Sequence, residues 1–391
     1  MERLIEARKR LVFDEFFLFI MGMQYQKEKR TRQENRFVME HPEFVEDLIQ
    51  KLPYELTGAQ RRALHDVTEN MQGPYAMQRL IQGDVGSGKT MVAAACVYFC
   101  VKNGRQAALM APTEILAQQH YNTIRERLGD YPINVEMMSR FRTPSQQKKT
   151  IEKLKRGEVD IVIGTHRLLS KDVAFKDLGL LIVDEEQRFG VRHKEKFKER
   201  FKGIDVLTLS ATPIPRTLAM TLYGDLDVSV IDELPPGRQP IRTVHYTDAA
   251  RLRLFGFMRQ EIKKGRQIYV VYPLIKESET MDYKDLQDGY EAISRDFPLP
   301  EYVTTICHGK MKPEDKEESM RQFKSGEANI MVATSVIEVG VDVPNATVMV
   351  IESAERFGLS QLHQLRGRVG RGSQQSYCIL MSGEKLSKEA R

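Results

Sequence analysis

The residues whose types and spacing most directly indicate chemistry lie at positions 83–90. They read Gly-Asp-Val-Gly-Ser-Gly-Lys-Thr and match G-x-x-x-x-G-K-[ST] at every fixed position. An apolar pair, Leu80-Ile81, precedes this segment and a helix-forming run at 91–95 follows it. Strand, glycine loop and helix in this order are the context in which the motif binds a nucleoside triphosphate.

Each residue type that the motif fixes has a physical role in binding phosphate. Glycines let successive backbone N–H groups turn towards one ligand, and the N-terminus of the following helix adds partial positive charge. We expect Lys89 to reach the β- and γ-phosphates and the Thr90 hydroxyl to bind Mg²⁺. The predicted nucleotide-binding residues of the loop are Gly83, Gly86, Ser87, Gly88, Lys89 and Thr90.

Two adjacent carboxylates follow four aliphatic residues at 180–183. Phosphoryl transfer to water needs a metal anchor and a group that orients or deprotonates the water. We therefore assign Asp184 to the metal and Glu185 to the attacking water. An acidic pair alone is usually a solvated loop, but its position after an aliphatic strand and a phosphate loop favours the catalytic interpretation.

A segment at 361–371 carries three arginines interleaved with glycines. Planar guanidinium groups in such a loop suit phosphate oxygens. We predict that Arg368 and Arg371 act across a cleft as arginine fingers, so that ATP closes the cleft and hydrolysis releases it. This cycle is that of a motor.

Three further positions carry weaker signals. Gln60 offers an acceptor and a donor to an adenine edge. Asp342 is a candidate for contact with the ribose or with the arginine loop. Residues 210–212, Ser-Ala-Thr, are often only a cap at a strand end, but between two lobes they could sense the state of the acidic pair.

Loops at strand ends also offer hydroxyl and amide groups to a nucleic-acid backbone. The basic stretches at 140–156 and 192–202 are read first as solvated helices, and neither stacking platforms nor a base-reading motif is evident. The predicted nucleic-acid contacts are Pro112, Thr113, Thr165, His166, Arg167 and Thr334.

The elements that must position these residues are short apolar strands separated by helical stretches, a pattern typical of a parallel sheet covered on both faces. The Pro/Gly-rich segment at 233–240 interrupts this pattern, which then restarts. We predict a helical arm at 1–50 packed on a core, an ATP-binding lobe at 51–235 and a second lobe at 236–391. The predicted strands lie at 106–113, 160–166, 180–185, 205–212, 267–272, 303–308, 329–334, 347–352 and 377–381.

The composition of the 391 residues is that of a globular protein, with 41% hydrophobic residues and a net charge of +5. This charge is mild, so nucleic-acid binding must depend on local patches. The apolar run at 16–23 is too short to span a bilayer, and four scattered cysteines favour reduced thiols. We therefore expect a cytoplasmic protein with no membrane contact.

The motifs together resemble the superfamily-two helicase and translocase core and, within it, the RecG family of bacterial ATP-dependent DNA helicases. The resemblance covers nearly the whole chain, and residues 7–15 look like the helix that follows the DNA-binding wedge domain of that family. The runs that carry it are residues 80–90, 212–220, 336–346 and 355–371.

The resemblance implies two RecA-like lobes, ATP as the nucleotide, and a monomeric translocase that acts on duplex or branched DNA in fork rescue and recombination. It also implies a motor without the family's wedge domain and C-terminal segment. Residues 184–195 look more like the transcription-repair coupling factor, because the helicase family more often has Gln-His where Glu186-Gln187 stand. A translocase of that type, and a DNA-binding motor with little turnover, are the alternatives.

Overall fold

The computed structural model describes residues 2–29, 33–140, 142–189, 197, 199–212, 226–273, 279–334, 343–384 and 386. The chain divides into two compact units, residues 1–83 with 87–233, and residues 84–86 with 234–391. The division at 233–234 compares with a predicted lobe boundary at 235–236.

The described helices and strands alternate along the chain, as expected for an α/β protein. The helices are α1 (Glu2–Lys29), α2 (Glu43–Gln50), α3 (Gly58–Met71), α4 (Lys89–Lys102), α5 (Glu114–Leu128), α6 (Pro144–Arg156), α7 (Arg251–Lys263), α8 (Glu279–Asp296), α9 (Pro313–Lys324) and α10 (Leu359–Arg366). The strands are β1 (Gln78–Gly83), β2 (Gln106–Met110), β3 (Val135–Met138), β4 (Ile161–Gly164), β5 (Leu178–Asp184), β6 (Asp205–Ser210), β7 (Asp227–Ile231), β8 (Arg242–Thr247), β9 (Gln267–Tyr272), β10 (Thr304–Cys307), β11 (Ile330–Thr334), β12 (Ala346–Ile351) and β13 (Tyr377–Ser382).

The first unit contains a seven-stranded parallel sheet in the order β3-β4-β2-β5-β6-β1-β7. The strands β2, β4 and β5 are buried at every position, because helices cover both faces. Parallel pairing brings the carboxyl ends of these strands to one edge, which is where open α/β sheets bind ligands.

The second unit contains a six-stranded parallel sheet in the order β10-β11-β9-β12-β13-β8. Its inner strands β11 and β12 are buried along their whole length. The prediction of two α/β lobes with parallel, helix-covered sheets is confirmed.

The strands that sequence analysis missed are β3, β7 and β8, and all three are edge strands. An edge strand has a neighbour on one side only, so it needs fewer apolar residues than a central strand. Only two of the five residues of β7, and none of β8, are buried. The apolar runs that identify central strands are therefore absent from these segments.

The N-terminal arm differs from its prediction in two ways. The chain between α1 and α2 is not helical where it is described, because backbone groups of residues 33–39 pair with those of residues 71–76 and 203. The prediction that the apolar face of α1 packs on a core is wrong for the described residues, since Leu11 is 66% and Phe16 62% exposed. None of the described helices combines the length and apolar character needed to cross a bilayer.

One link between the arm and the first sheet is made by Asp205, the fully buried first residue of β6. Its Oδ1 accepts a hydrogen bond from the backbone N–H of Met77 at 2.7 Å, and Asn35 Nδ2 lies 3.4 Å from both carboxylate oxygens. Burial outweighs these bonds and raises the pKa of Asp205 to about 7.

In the second unit, Glu352 is buried just beyond β12 and forms a two-pronged ion pair with Arg251. The guanidinium donates to Oε1 at 2.8 Å and to Oε2 at 2.9 Å, and a further bond reaches Asp248 at 2.8 Å. The hydrogen bonds to Glu352 raise the pKa of Arg251. The pair joins the first turn of α7 to the carboxyl edge of the second sheet.

The raised pKa of Asp205 predicts a specific dependence of stability on pH. The folded state prefers the protonated acid, so this stability is fully present below the unfolded pKa of 3.8 and is lost as pH rises to about 7. Asp205→Asn keeps an oxygen for Met77 and cannot ionise. We expect the free energy of unfolding of this variant to exceed that of wild type by roughly 1–3 kcal/mol at pH 8. The decrease of stability that wild type shows between pH 5 and 7.5 should be absent from the variant.

Urea unfolding of the two proteins across this pH range measures the difference. Asp130→Asn, at an exposed carboxylate, serves as the control and should keep the wild-type slope. If the free energy of unfolding of wild type and of Asp205→Asn changed with pH in the same way, the raised pKa of Asp205 would be contradicted.

Removal of one partner of the Arg251–Glu352 pair should be costly, because it leaves a buried charge alone. We expect Arg251→Met to lower the free energy of unfolding of the second unit by about 3 kcal/mol. Arg251→Met combined with Glu352→Met should recover more than half of that loss. Asp248→Asn is the control and should cost under ~1 kcal/mol, since its side chain is 60% exposed. A double variant less stable than Arg251→Met would refute this account.

Candidate functional site

The phosphate loop connects β1, which ends at Gly83, with α4, which begins at Lys89. Gly86 and Gly88 have φ angles of 82° and 92°, in the left-handed region that glycine adopts at little cost. A Cβ atom on Gly88 would also lie 2.1 Å from Gln60 Nε2. The backbone angle therefore favours glycine at position 88, and a side chain there would also displace the Gln60 amide.

The side chains of this loop fit a bound phosphate group. Lys89 Nζ donates a hydrogen bond to the Gly83 carbonyl oxygen at 2.6 Å, which holds the ammonium group under the loop. The Ser87 hydroxyl is buried and has no hydrogen-bond partner among the described residues. A buried hydroxyl of this kind, beside a cationic side chain and a helix N-terminus, is suited to a phosphate oxygen. Thr90 lies half-buried in the first turn of α4.

Gln60 supports the loop from the side. Its Nε2 donates to the Ser87 carbonyl oxygen at 2.7 Å, and its Oε1 accepts from the Thr57 backbone N–H at 3.0 Å. Thr57 and Gln60 also form the capping box at the start of α3. Both ends of the Gln60 amide thus have protein partners, and contact with an adenine edge stays a prediction.

The acidic pair lies where β5 ends. Asp184 is buried, and its Oδ2 accepts a hydrogen bond from His120 Nε2 at 2.7 Å. Glu185 has a φ of 50°, which is uncommon for a residue with a side chain, and its Oε1 accepts from the Ala211 backbone N–H at 3.0 Å. A second contact joins its Oε2 to Gln187. The acidic pair therefore contacts the Ser-Ala-Thr segment, and the role of that segment in sensing the pair stays a prediction.

His120 is a site residue that sequence analysis missed. It belongs to the buried face of α5, together with Ala117, Ile124 and Leu128. A histidine among apolar residues at helical spacing was the available signal, but such a residue is more often part of a core. Only the fold brings it to Asp184, which is 64 positions away in the sequence.

The predicted arginine fingers belong to the second unit. Arg368 and Arg371 follow α10, and both are half-buried. The Arg368 backbone N–H donates to the Leu365 carbonyl oxygen at 3.0 Å, which continues the last turn of the helix. Asp342 lies outside the described residues. The catalytic role of the arginines stays a prediction.

The predicted nucleic-acid contacts lie at strand ends, but several are already engaged. Thr113 caps α5 through a bond from the Leu116 N–H at 3.3 Å, and Pro112 precedes it. Arg167 forms a two-pronged ion pair with Asp172, at 2.7 and 2.6 Å, and these bonds lower the pKa of Asp172 to about 2. His166 lies in the same short 3₁₀ turn as Arg167.

Two of these contacts, Thr165 and Thr334, are only 3% and 2% exposed. The Thr165 hydroxyl donates to Glu114 Oε1 at 3.3 Å, which joins two predicted contact loops. Thr334 Oγ1 is buried without a hydrogen-bond partner in the described part of the chain. A nucleic acid would reach these two threonines through backbone groups more easily than through their hydroxyls.

The second unit repeats the turn that carries the acidic pair. Ser353 has φ 48° and ψ 51°, against 50° and 52° for Glu185, and a 3₁₀ turn follows in both cases. Glu352 precedes Ser353 as Asp184 precedes Glu185, but Glu352 is paired with Arg251. A serine stands where the first unit has its second carboxylate. The second unit therefore has the backbone of this site without its chemistry.

Within the described residues, no group of three His, Cys, Asp or Glu side chains forms a metal cage. Mg²⁺ is often held by one or two protein groups together with substrate phosphates. Asp184 and Thr90 supply the oxygen ligands that Mg²⁺ prefers, so they fit a shared site of that kind. The four cysteines are buried free thiols.

Known families match both units. Residues 57–221 match the DEAD/DEAH box helicase family, and residues 251–373 match the helicase conserved C-terminal domain. The first match contains the phosphate loop and the acidic pair, and the second contains both predicted arginine fingers.

Relatives resemble nearly the whole chain. It is 46% identical over 97% of its length to the ATP-dependent DNA helicase RecG of Aquifex aeolicus, and 45% identical over 98% to that of Bacillus subtilis. These matches cover 48% and 56% of the relatives, so the chain spans about half their length.

A solved structure agrees with this relationship. The structure of RecG bound to a three-way DNA junction is 42% identical and has a TM-score of 0.79, covering 99% of this chain and 51% of the other. The first unit therefore carries a DEAD/DEAH box helicase domain and the second a helicase conserved C-terminal domain, and nearly the whole chain is similar to part of the DNA helicase RecG.

Proposed function

We propose that this chain hydrolyses ATP and uses the energy to move on duplex or branched DNA, in the rescue of replication forks and in recombination. One observation carries the ATPase assignment. In the first sheet, Leu209 of β6 pairs with Ile81 on one side and with Asp184 on the other. The phosphate loop and the acidic pair thus leave the same edge only two strand spacings apart, about 10 Å.

The side chains divide the chemistry of ATP hydrolysis between them. Lys89 offsets phosphate charge, and Glu185 orients the attacking water and accepts its proton. Asp184 and Thr90 would hold Mg²⁺, which when bound neutralises charge on the phosphate oxygens. Arg368 and Arg371 supply further positive charge to the transferred phosphoryl group.

The DNA assignment rests on the relatives, which are named as DNA helicases, and on the RecG structure with a DNA junction. The loops at 112–113 and 165–167 and the end of β11 at Thr334 would contact the sugar–phosphate backbone, which requires no base reading. We propose that the active form is a cytoplasmic monomer.

Substitutions of the predicted catalytic residues should separate nucleotide binding from turnover. Lys89→Ala should lose most ATP affinity, because the loop loses its only described lysine. Glu185→Gln should bind ATP normally and turn over at least ~10²-fold more slowly, since the water loses its base. Arg368→Ala and Arg371→Ala should behave like Glu185→Gln, with loss of ~10³-fold in kcat.

Phosphate release and equilibrium binding of a fluorescent ATP analogue measure these effects. Lys102→Ala is the control and should match wild type, because Lys102 is exposed at the far end of α4, the helix that begins at Lys89. Wild-type turnover in both Lys89→Ala and Glu185→Gln would mean that the site is elsewhere.

A panel of nucleic acids tests the proposed track. Forked and duplex DNA should raise ATP turnover by at least tenfold, single-stranded DNA should raise it less, and RNA should have little effect. Turnover is measured at saturating ATP with Glu185→Gln protein as the background. Equal rates with and without DNA would favour a DNA-binding motor with little turnover, and displacement of a stalled RNA polymerase would favour the transcription-repair type.

A further inference from the structure

His120 occupies an unusual position on α5. The face of this helix that is buried consists otherwise of Ala117, Ile124 and Leu128, and His120 is 7% exposed. A leucine would fit such a face at no cost in hydrogen bonds, whereas a buried polar pair must compensate for the loss of water. Packing alone therefore does not explain a histidine at this position.

The contact that His120 makes is directed at one carboxylate oxygen. Its Nε2–H donates to Asp184 Oδ2 at 2.7 Å, and both side chains are nearly enclosed. A carboxylate accepts several hydrogen bonds or metal contacts, so this bond uses part of its capacity. A donor that fixes a ligand carboxylate in one orientation is a common partner of metal sites.

The same helix begins at the proposed DNA-contact loops. Thr113 caps its first turn, and Glu114 in that turn accepts a hydrogen bond from Thr165 of the second loop. His120 lies seven positions after Thr113, which is two helical turns and about 10 Å along the axis. One rigid element thus joins both loops to Asp184.

We propose that His120 is a positioning residue that aligns Asp184 for a divalent cation and transmits DNA binding to the cation site through α5. DNA at residues 112–113 and 165 would shift the first turn of the helix, and His120 would carry the shift to the carboxylate. The inference rests on the proposed ATPase function, because it assigns Asp184 to the metal.

The experiment compares the full chain with His120→Leu, which fills the space without a donor, and His120→Gln, whose amide N–H keeps one. Asn122→Leu, on the exposed side of the same helix, is the matched control. The probe is a fluorescent, non-hydrolysable ATP analogue. Its affinity is measured in EDTA, and the Mg²⁺ concentration that gives half-maximal binding is then measured with and without forked DNA. Thermal unfolding of each variant shows that it is folded.

His120→Leu should bind the analogue in EDTA within about twofold of wild type. Its half-maximal Mg²⁺ concentration should rise by roughly tenfold, and the effect of DNA on that concentration should disappear. His120→Gln should recover most of both properties, and Asn122→Leu should equal wild type.

Two results would overturn the inference. One is a Mg²⁺ midpoint and a DNA effect in His120→Leu that equal those of wild type. The other is equal loss of binding in EDTA and in Mg²⁺, which is expected of a purely structural residue. If His120→Leu does not fold, His120→Met, which also lacks a donor, decides the question in the same assay, with the same tenfold rise in the Mg²⁺ midpoint expected. Analogue binding that does not depend on Lys89 would instead refute the proposed function, and the inference with it.

Discussion

The parallel pairing of β6 with β1 on one side and β5 on the other is the constraint on which the candidate site depends. Because the three strands run in the same direction, they end at one edge of the sheet, and Ile81 and Asp184 are matched to the same residue of β6. The phosphate loop and the acidic pair are far apart in sequence, but this pairing holds them only two strand spacings apart, about 10 Å. A shift of register would separate them, so burial of these strands also fixes the site.

At this edge of the sheet, several polar groups form hydrogen bonds that fix the conformation of the loops, in addition to those that could bind a ligand. Gln60 holds the Ser87 carbonyl, Lys89 the Gly83 carbonyl, and Ala211 donates to Glu185. Such bonds keep the loops rigid, which reduces the reorganisation that phosphoryl transfer requires. The second unit has the same turn at Ser353, but the carboxylate that precedes this turn, Glu352, is engaged in an ion pair with Arg251.

Burial also explains which parts of the fold escape sequence analysis. Central strands such as β2, β4, β5, β11 and β12 are buried along their whole length and consist mostly of apolar residues, so their sequences differ sharply from the loops around them. The edge strands β3, β7 and β8 bury a smaller part of their surface and have mixed sequences. In the helix α1 the sequence misleads in the other direction. Its apolar residues predict a buried face, but large apolar side chains such as Leu11 and Phe16 are exposed among the described residues.

The sequence by itself determined the local chemistry of this protein, namely the glycine loop, the acidic pair, the arginine loop and the succession of buried strands. These signals are short-range, since glycine at left-handed angles and apolar strand runs depend on neighbours in the chain. Only the tertiary structure decided that His120 meets Asp184, that both ends of the Gln60 amide are engaged, and that Arg167 is paired with Asp172. The first two depend on which helix faces cover the sheet. All three are partner choices that a linear pattern does not encode, because each is made among many polar groups once the chain is folded.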